Sequence, residues 1–284
     1  MEYKIPVNAS VGLVALRIDN LNQMIDFYTK VIGLSLLKRT EREAYLGIDS
    51  SNKVLISLRR VQHPEIVKNE TGMASFSIVL PDNDDFKKCL VHINNLGIKL
   101  SDIYQNGYYD IVKLIDPEGN HIVLEFKKFH SDLDVKDINL FDINAKKIKL
   151  NDYLEDFNAK SKLLPSSAFL GWINIFVSNL SKSIKFYHDQ LGLKVCFNHD
   201  KTAAILTTEN ERRQIVLTEK NDLSPRKTEV LGLDYINFKF NTALELTQLA
   251  NHLENGNNEY KYIKEDGFLF VIDPDDMNVS FSII

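Results

Sequence analysis

The chain repeats itself at a fixed spacing. Residues 11–21, VGLVALRIDNL, return as residues 170–180, LGWINIFVSNL, an offset of 159 positions (170 − 11). A Phe-Tyr pair and a Gly-Leu pair follow at the same offset, at residues 27–28 and 186–187 and at residues 33–34 and 192–193. The repeat spans a strand-like apolar run, a cap signal and a helical segment, so it predicts two copies of one supersecondary unit.

A weaker second copy follows in each half. In residues 74–80, Ser75, Ser77 and Val79 alternate with the large apolar residues at positions 76, 78 and 80, which is typical of a half-buried strand. Residues 232–240 occupy the corresponding place in the second half. Each strand leads into an amphipathic helix pattern, and the second of these helices opens with a capping box at residues 242–245. Each copy closes with an Asp-Pro turn, at Asp116 and Asp273, into a last strand.

The order of these signals predicts an α+β fold built from four βαβββ modules. We expect two domains, residues 1–127 and residues 168–284, joined by a charged linker at residues 128–167. A length of 284 residues suits two domains of about 150 residues each. Whether module one pairs with module two or with module four is left open.

The composition excludes several partners. A net charge of −5 with scattered Lys and Arg gives no continuous basic face for nucleic acid. No apolar run reaches the roughly 18 residues of a membrane span, and the first residues lack the layout of a signal peptide, so we expect a cytoplasmic protein without a membrane partner. Cys89 and Cys196 have no second Cys or His at ligand spacing and are predicted to be packed thiols.

Taken in order, the capped strand, the Phe-Tyr helix, the Gly-Leu pair and the Asp-Pro-Glu-Gly-Asn turn at residues 116–120 resemble the vicinal oxygen chelate superfamily. This superfamily contains glyoxalases, bleomycin-resistance proteins and extradiol dioxygenases, and the four-module length resembles its two-domain catechol 2,3-dioxygenase-like members. The resemblance implies two glyoxalase-like domains whose curved sheets wrap around cavities. It also implies Fe(II) or Mn(II) held by two His and one Glu, a donor set that leaves open coordination positions.

Transferred position by position, the resemblance finds no metal-ligating side chain where the family has its ligands. The family's first His falls at Leu13 and at Trp172. Its second His falls at Ser75 and at Tyr235, and its Glu falls at Val123 and at Ser280. Lys113 stands where ring-cleaving members have an acid-base tyrosine. The sequence therefore predicts that the family metal site is degenerate and that no metal is bound.

Strand alternation predicts which residues share a cavity face with these positions. In modules two and three we expect the substrate-binding residues to be Ser75, Lys113, His121, Glu125, Trp172, Asn174 and Phe176. Lys113 is either a cation in the metal's place, paired with Glu125, or an edge lysine that reaches solvent. The face of modules one and four carries Leu13, Ala15, Arg17, Tyr235, Asn237, Lys239, Asn278, Ser280 and Ser282. There, Arg17 and Lys239 either receive an anionic ligand or form a solvated pair.

Three functions are compatible with these residues. The first is a protein that binds a small aromatic or anionic molecule without a metal. The alternative is a metal-dependent ring-cleavage dioxygenase or glyoxalase with migrated ligands, for which His121 and Glu125 are the donors on a cavity face. The third is a purely structural or partner-binding protein whose cavities have collapsed. The sequence leaves three questions open: whether the chain is an enzyme, which residues are catalytic, and whether it forms a homo-oligomer.

Overall fold

The structure is a computed structural model, and it confirms the predicted α+β class with two curved sheets. It describes residues 3–62, 64, 70–107, 109–128, 145–155, 157, 160, 163–199, 202–208, 213–223 and 230–283. Much of the predicted linker at residues 128–167 lies outside these ranges. Within them, no helix combines the length and the apolar character that crossing a membrane requires.

Strands make up most of the regular secondary structure in the described residues. They are β1 (Ser10–Ile18), β2 (Ser35–Arg39), β3 (Glu43–Ile48), β4 (Lys53–Arg60), β5 (Gly72–Leu80), β6 (Ile103–Gln105), β7 (Tyr109–Ile115), β8 (His121–Lys127), β9 (Lys146–Ile148), β10 (Phe169–Val177), β11 (Lys194–His199), β12 (Ala203–Thr207), β13 (Arg213–Glu219), β14 (Gly232–Phe240), β15 (Lys261–Ile263), β16 (Phe268–Ile272) and β17 (Asn278–Ile283). The helices are α1 (Leu21–Asp26), α2 (Asn83–Asn95), α3 (Leu150–Tyr153), α4 (Leu180–Lys185) and α5 (Ala243–Asn255).

The chain forms two compact units that do not follow the repeats residue for residue. Unit one comprises Met1–Arg17, Val61–Ala74 and Trp172–Ile284, and unit two comprises Ile18–Arg60 and Ser75–Gly171. Most of the second half thus lies in unit one, together with β1 from the first half. The domain boundaries at residues 127 and 168 were drawn from the sequence repeats, and they stay a prediction.

Pairing within unit one answers the question of which modules meet. β1 of module one pairs antiparallel with β14 of module four, and β14 pairs parallel with β17. The order of these strands is β15-β16-β17-β14-β1, and β11-β12-β13-β10 are also neighbours in this unit. Module one therefore pairs through its first strand with module four.

Unit two has its own ladders. β2, β3 and β4 form an antiparallel meander. The other strands are ordered β5-β8-β7-β6-β9, with β5 parallel to β8. Phe86, Cys89, Leu90 and Ile93 of the predicted apolar face of α2 are buried, whereas Leu96, predicted on the same face, is 48% exposed at the end of the helix. Both cysteines are free, and burial raises the pKa of the Cys89 thiol to about 12, as expected for a packed thiol.

The repeated sequence signals form repeated local structures. Asn20 caps α1 by accepting from the backbone N–H of Gln23, and Asn179 caps α4 by accepting from that of Lys182. Each helix continues into a π-helical turn, at Phe27–Ile32 and Phe186–Gln190. Gly33 follows the first of these turns with a φ of 95°, a left-handed conformation that glycine adopts without strain. The turn and its glycine bring the tyrosine of the Phe-Tyr pair to a fixed orientation.

That tyrosine makes a buried hydrogen bond to the Asp-Pro turn of the neighbouring module. Tyr28 Oη donates to Asp116 Oδ2 at 2.9 Å in unit two, and Tyr187 Oη donates to Asp273 Oδ2 at 3.1 Å in unit one. Both tyrosines are fully buried. The Phe-Tyr and Asp-Pro motifs, separate in sequence, are therefore the two partners of one interaction.

The aspartates of these pairs also hold their own turns. Asp273 Oδ1 accepts from the backbone N–H groups of Asp275 and Met277, both at 2.9 Å. Asp116 Oδ1 accepts from the corresponding groups of Glu118 and Asn120. Burial raises the pKa of Asp116 and raises that of Asp273 to about 7, although the hydrogen bonds from the turn oppose the shift.

We expect Tyr28→Phe and Tyr187→Phe each to lower the free energy of unfolding by about 1–3 kcal/mol, because a buried carboxylate loses its hydroxyl donor. Urea denaturation measures the change. Tyr45→Phe is the control, since Tyr45 Oη donates to Glu43 at a half-buried strand position. Equal losses in all three variants would contradict a special role for the buried pairs.

Asp273 should make stability depend on pH in a specific direction. Its folded-state pKa of about 7 lies above the value of about 4 in an unfolded chain, so the folded state binds a proton that the unfolded state releases. This stabilisation is present below about pH 4 and is lost as the pH rises through about 7. Asp273→Asn should flatten the fall in the free energy of unfolding across this window, whereas Asp276→Asn, at an exposed position of the same turn, should not.

Candidate functional site

Three adjacent strands of unit one carry the positions where the family has metal ligands. In the ladder, Leu13 on β1 is opposite Asn237 on β14, which is opposite Ser280 on β17. Tyr235 lies two residues before Asn237 on β14, on the same face of the strand, and is opposite Ala15 on β1. The three ligand positions Leu13, Tyr235 and Ser280 therefore lie on neighbouring strands and adjacent rungs. We call this surface the β14 face, comprising Leu13, Ala15, Tyr235, Asn237, Lys239, Asn278, Ser280 and Ser282.

A directional chain of hydrogen bonds crosses the β14 face. Lys239 Nζ donates to Ser282 Oγ at 2.8 Å, and Ser282 Oγ donates to Asn237 Oδ1 at 3.0 Å. Asn237 Nδ2 then donates to Ser280 Oγ at 2.9 Å, and Ser280 Oγ donates to the carbonyl of Ile236 at 3.2 Å. Asn237, Ser280 and Ser282 are buried, with exposed fractions of 2% or less. The polar groups at the family's carboxylate position are thus satisfied by one another.

Lys239 stands at the head of this chain because the neighbouring strand has a glycine. A Cβ added to Gly12 would overlap the Cγ of Lys239, so the absence of a side chain on β1 lets the lysine stem cross it. The residue is half-buried, and burial lowers the pKa of its ammonium group. Gly12 is therefore a close-approach glycine that positions Lys239.

Arg17 is at the other end of the same strand pair. It lies opposite Gly232, whereas Lys239 lies opposite Ser10. Its guanidinium is 5% exposed, lies 3.5 Å from Asp234 Oδ1 and donates to the carbonyl of Leu233. The expectation of a solvated pair with Lys239 is wrong, because burial and Asp234 hold Arg17 in a different place.

Unit two has a corresponding surface, the β8 face, comprising Ser75, Ser77, Val79, Lys113, His121, Val123 and Glu125. Ser77 is opposite Val123, and Val123 is opposite Lys113. Val79 is opposite Glu125, which is 4% exposed. A Cβ on Gly171 would overlap Ser77 and Val79, just as one on Gly12 would overlap Lys239. The two faces are built alike, and position 79 corresponds to position 239.

The predicted residues of the β8 face have unequal exposure. Lys113 is exposed, and its Nζ lies 5.2 Å from the centroid of the Tyr104 ring. This is the geometry of an edge lysine held by a cation–π contact, the second of the two alternatives for this residue. His121 is exposed at the start of β8, and Ser75 is half-buried. Buried Glu125 is thus the carboxylate of this face.

The other three predicted residues lie on β10 in unit one and are half-buried. The Thr218 hydroxyl donates to Asn174 Oδ1 at 3.0 Å, and Lys220 Nζ lies 5.2 Å from the ring centroid of Phe176. Trp172 precedes them on the same side of the strand. The seven predicted residues thus divide between the units, four in unit two and three in unit one. Their use as one binding site stays a prediction.

Unit two also has an open groove of about 340 Å³. It is lined by Asp19, Asn20, Leu21, Asn22, Arg39, Glu41 and Arg60. Arg39 donates to Asn22 Oδ1 across it. The groove includes none of the predicted site residues.

The donors present do not fit a two-His-one-Glu metal centre. Across the described ranges, no group of three or more His, Cys, Asp or Glu side chains is placed to hold a metal ion. On the β14 face, the three ligand positions carry an apolar side chain, a phenol and an alcohol.

Two histidines instead have a structural role that sequence analysis missed. His92 Nε2 lies 2.8 Å from the carbonyl of Lys30, and His252 Nε2 lies 3.1 Å from the carbonyl of Asp189. Each therefore joins the helix of one module to the π-helical turn of another. Their separation of 160 positions (252 − 92) was the available signal, because it differs by only one position from the 159-residue spacing of the repeat.

The chain belongs to the glyoxalase/bleomycin resistance protein/dioxygenase superfamily, whose model matches residues 10–124 and 169–280. A catechol-2,3-dioxygenase of Bacillus subtilis (strain 168) is 26% identical over 252 residues, which cover 86% of this chain and 87% of that protein. The two matched segments contain nearly all the strands described above.

Solved structures share the fold at low sequence identity. A putative dioxygenase from Bacillus subtilis superimposes with a TM-score of 0.70 at 11% identity, covering 99% of this chain and 86% of the other. Glyoxalase I from Zea mays gives a TM-score of 0.59 at 19% identity, covering 97% and 92%. The cppA protein from Streptococcus pneumoniae TIGR4 gives 0.59 at 13%, covering 98% and 100%. These likenesses show the fold.

The hydrogen-bond chain predicts that substitutions along it change the free energy of unfolding in a non-additive way. Asn237→Leu should lower the free energy of unfolding by about 1–3 kcal/mol, because Ser280 and Ser282 lose a buried partner. Replacing Asn237 by Leu together with Ser280→Ala and Ser282→Ala should cost less than the sum of the three single changes, since no buried hydroxyl is then left unpaired. Urea denaturation of the four variants measures this, and simple additivity would contradict the chain.

Proposed function

We propose that this chain is a member of the superfamily that has lost the family metal site and binds a small aromatic or anionic molecule. The observation that carries the proposal is the hydrogen-bond chain on the β14 face. Asn237 and Ser280 satisfy each other at the position where the family has its carboxylate ligand. A two-His-one-Glu site needs free lone pairs on imidazole nitrogen and carboxylate oxygen, and these residues offer amide and hydroxyl groups already in use.

The aromatic side of the proposal rests on β10. Trp172 and Phe176 are half-buried, so their rings can contact a ligand and still pack on the protein. Lys220 adds a cation beside Phe176, and Asn174 contributes an amide between the two rings. Such a mixture of aromatic and polar groups suits a small molecule that has a ring and polar substituents.

The second candidate is a metal-dependent ring-cleavage dioxygenase or glyoxalase whose ligands have migrated. The likeness to a catechol-2,3-dioxygenase over most of both chains favours it. Its donors on the β8 face would be His121 and Glu125, which are four residues apart on β8, so about 13 Å separates their positions along the strand. This span is too long for both side chains to bind one ion directly, and for that reason we favour the metal-free function.

Metal content and turnover separate the two functions. Protein expressed with iron, manganese, zinc and nickel, and purified without chelator or affinity tag, should hold far less than one metal per chain by elemental analysis. It should bind catechol in calorimetry without consuming O₂. Near-stoichiometric iron or manganese, with catechol-dependent O₂ uptake, would establish the dioxygenase instead.

Trp172→Ala should weaken catechol binding by about tenfold, because the ligand loses the half-buried indole ring on which it stacks. Trp172→Phe should restore most of the affinity, and Lys113→Met should leave it unchanged if Lys113 serves only its contact with Tyr104. Urea denaturation of each variant separates binding from folding. If Trp172→Ala destabilises the protein and leaves affinity intact, Trp172 is a packing residue and the aromatic part of the proposal is wrong.

A further inference from the structure

We propose that Lys239 is the anion-binding residue of this protein and receives the carboxylate of a small organic acid on the β14 face. The inference rests on the proposed function and deepens it, since it names the ligand class and the residue that selects it. Lys239, Gly12, Asn237 and Ser282 all belong to unit one, so the site is complete within that unit.

The first argument is that the fold does not require a charge at this position. Val79 occupies the corresponding place on the β8 face, where a Cβ added to Gly171 would overlap Ser77 and Val79. Two uncharged side chains therefore suffice to cover the close-approach glycine. Lys239 brings an ammonium group to a half-buried position where the equivalent strand has none, and placing a charge there carries a desolvation cost.

The second argument is the direction of the hydrogen bonds. Asn237 Oδ1 accepts from Ser282 and its Nδ2 donates to Ser280, so the Ser282 hydroxyl has its proton committed and its oxygen accepts from Lys239. An ammonium group has three N–H donors, and this bond uses one. The chain of hydrogen bonds thus fixes the position of Nζ, while two donors are left for a ligand.

The third argument is charge balance. Among the described residues, Lys239 has no carboxylate within ion-pair distance, and its hydrogen bond is to a neutral serine. By contrast, Arg17 and Lys128 each have a carboxylate partner, Asp234 and Asp110 respectively. Burial lowers the pKa of Lys239, which shows that its environment disfavours the charged form. A bound carboxylate would supply the missing opposite charge and accept both remaining donors.

A charged ligand and its neutral analogue test this proposal. Calorimetry at neutral pH compares benzoate with benzamide, which has a similar shape and no charge. Wild-type protein should bind benzoate more tightly than benzamide. Lys239→Met should weaken benzoate binding by at least about tenfold and remove the preference, whereas Lys239→Arg should keep part of it because it retains a cation.

Lys264→Met is the matched control, since Lys264 is an exposed lysine of the same unit that contacts the Tyr262 ring. It should bind benzoate like the wild type. Urea denaturation should show that Lys239→Met is folded and no less stable, because it removes a desolvated charge. Loss of benzoate affinity in a folded Lys239→Met protein supports the proposal.

Two results would overturn it, and they differ in what they imply for the proposed function. If Lys239→Met binds benzoate as the wild type does, or if the wild type binds catechol but not benzoate, Lys239 is not an anion site and the small-molecule function stands. If the wild type binds neither catechol nor benzoate, the proposed function loses its support along with the anion site. The elemental analysis is independent of Lys239 in every case.

Discussion

The fold depends on a buried hydrogen bond between a tyrosine and an aspartate, made once in each unit. Tyr28 with Asp116 and Tyr187 with Asp273 link a helix of one module to the closing turn of the next. The aspartate also holds the backbone of its own turn, so the tyrosine sets where the last strand begins. That strand carries Val123 in unit two and Ser280 in unit one, so the position of each cavity face is tied to this interaction.

Strand pairing then decides which residues meet. Because β1 pairs with β14, and β14 with β17, Leu13 lies opposite Asn237, which in turn lies opposite Ser280. Leu13 is more than 200 positions away from both in the chain (237 − 13 = 224), and no local pattern relates it to them. Here this pairing assembles a chain of hydrogen bonds between amide and hydroxyl groups.

The two faces of this protein have diverged from one plan. Gly12 and Gly171 serve the same purpose, since each lets a side chain of the adjacent strand cross it. On the β14 face the crossing residue is Lys239, with neutral polar partners, and on the β8 face Ser77 and Val79 lie against the glycine, next to buried Glu125. One face therefore carries a half-buried ammonium group and the other a buried carboxylate, which is a chemical asymmetry that a duplicated scaffold permits because its packing is preserved.

The sequence by itself determined the α+β class, the modules, the caps, the apolar helix faces and the absence of His and Glu from the family's ligand positions. All of these follow from periodicity and residue type, which are local properties. Only the tertiary structure decided that β1 meets β14, that Arg17 is buried against Asp234 while Lys239 is held by Ser282, and that Lys113 contacts Tyr104. The physical reason is that strand alternation fixes the face on which a side chain lies, while its neighbours and its burial are fixed by pairing between distant strands.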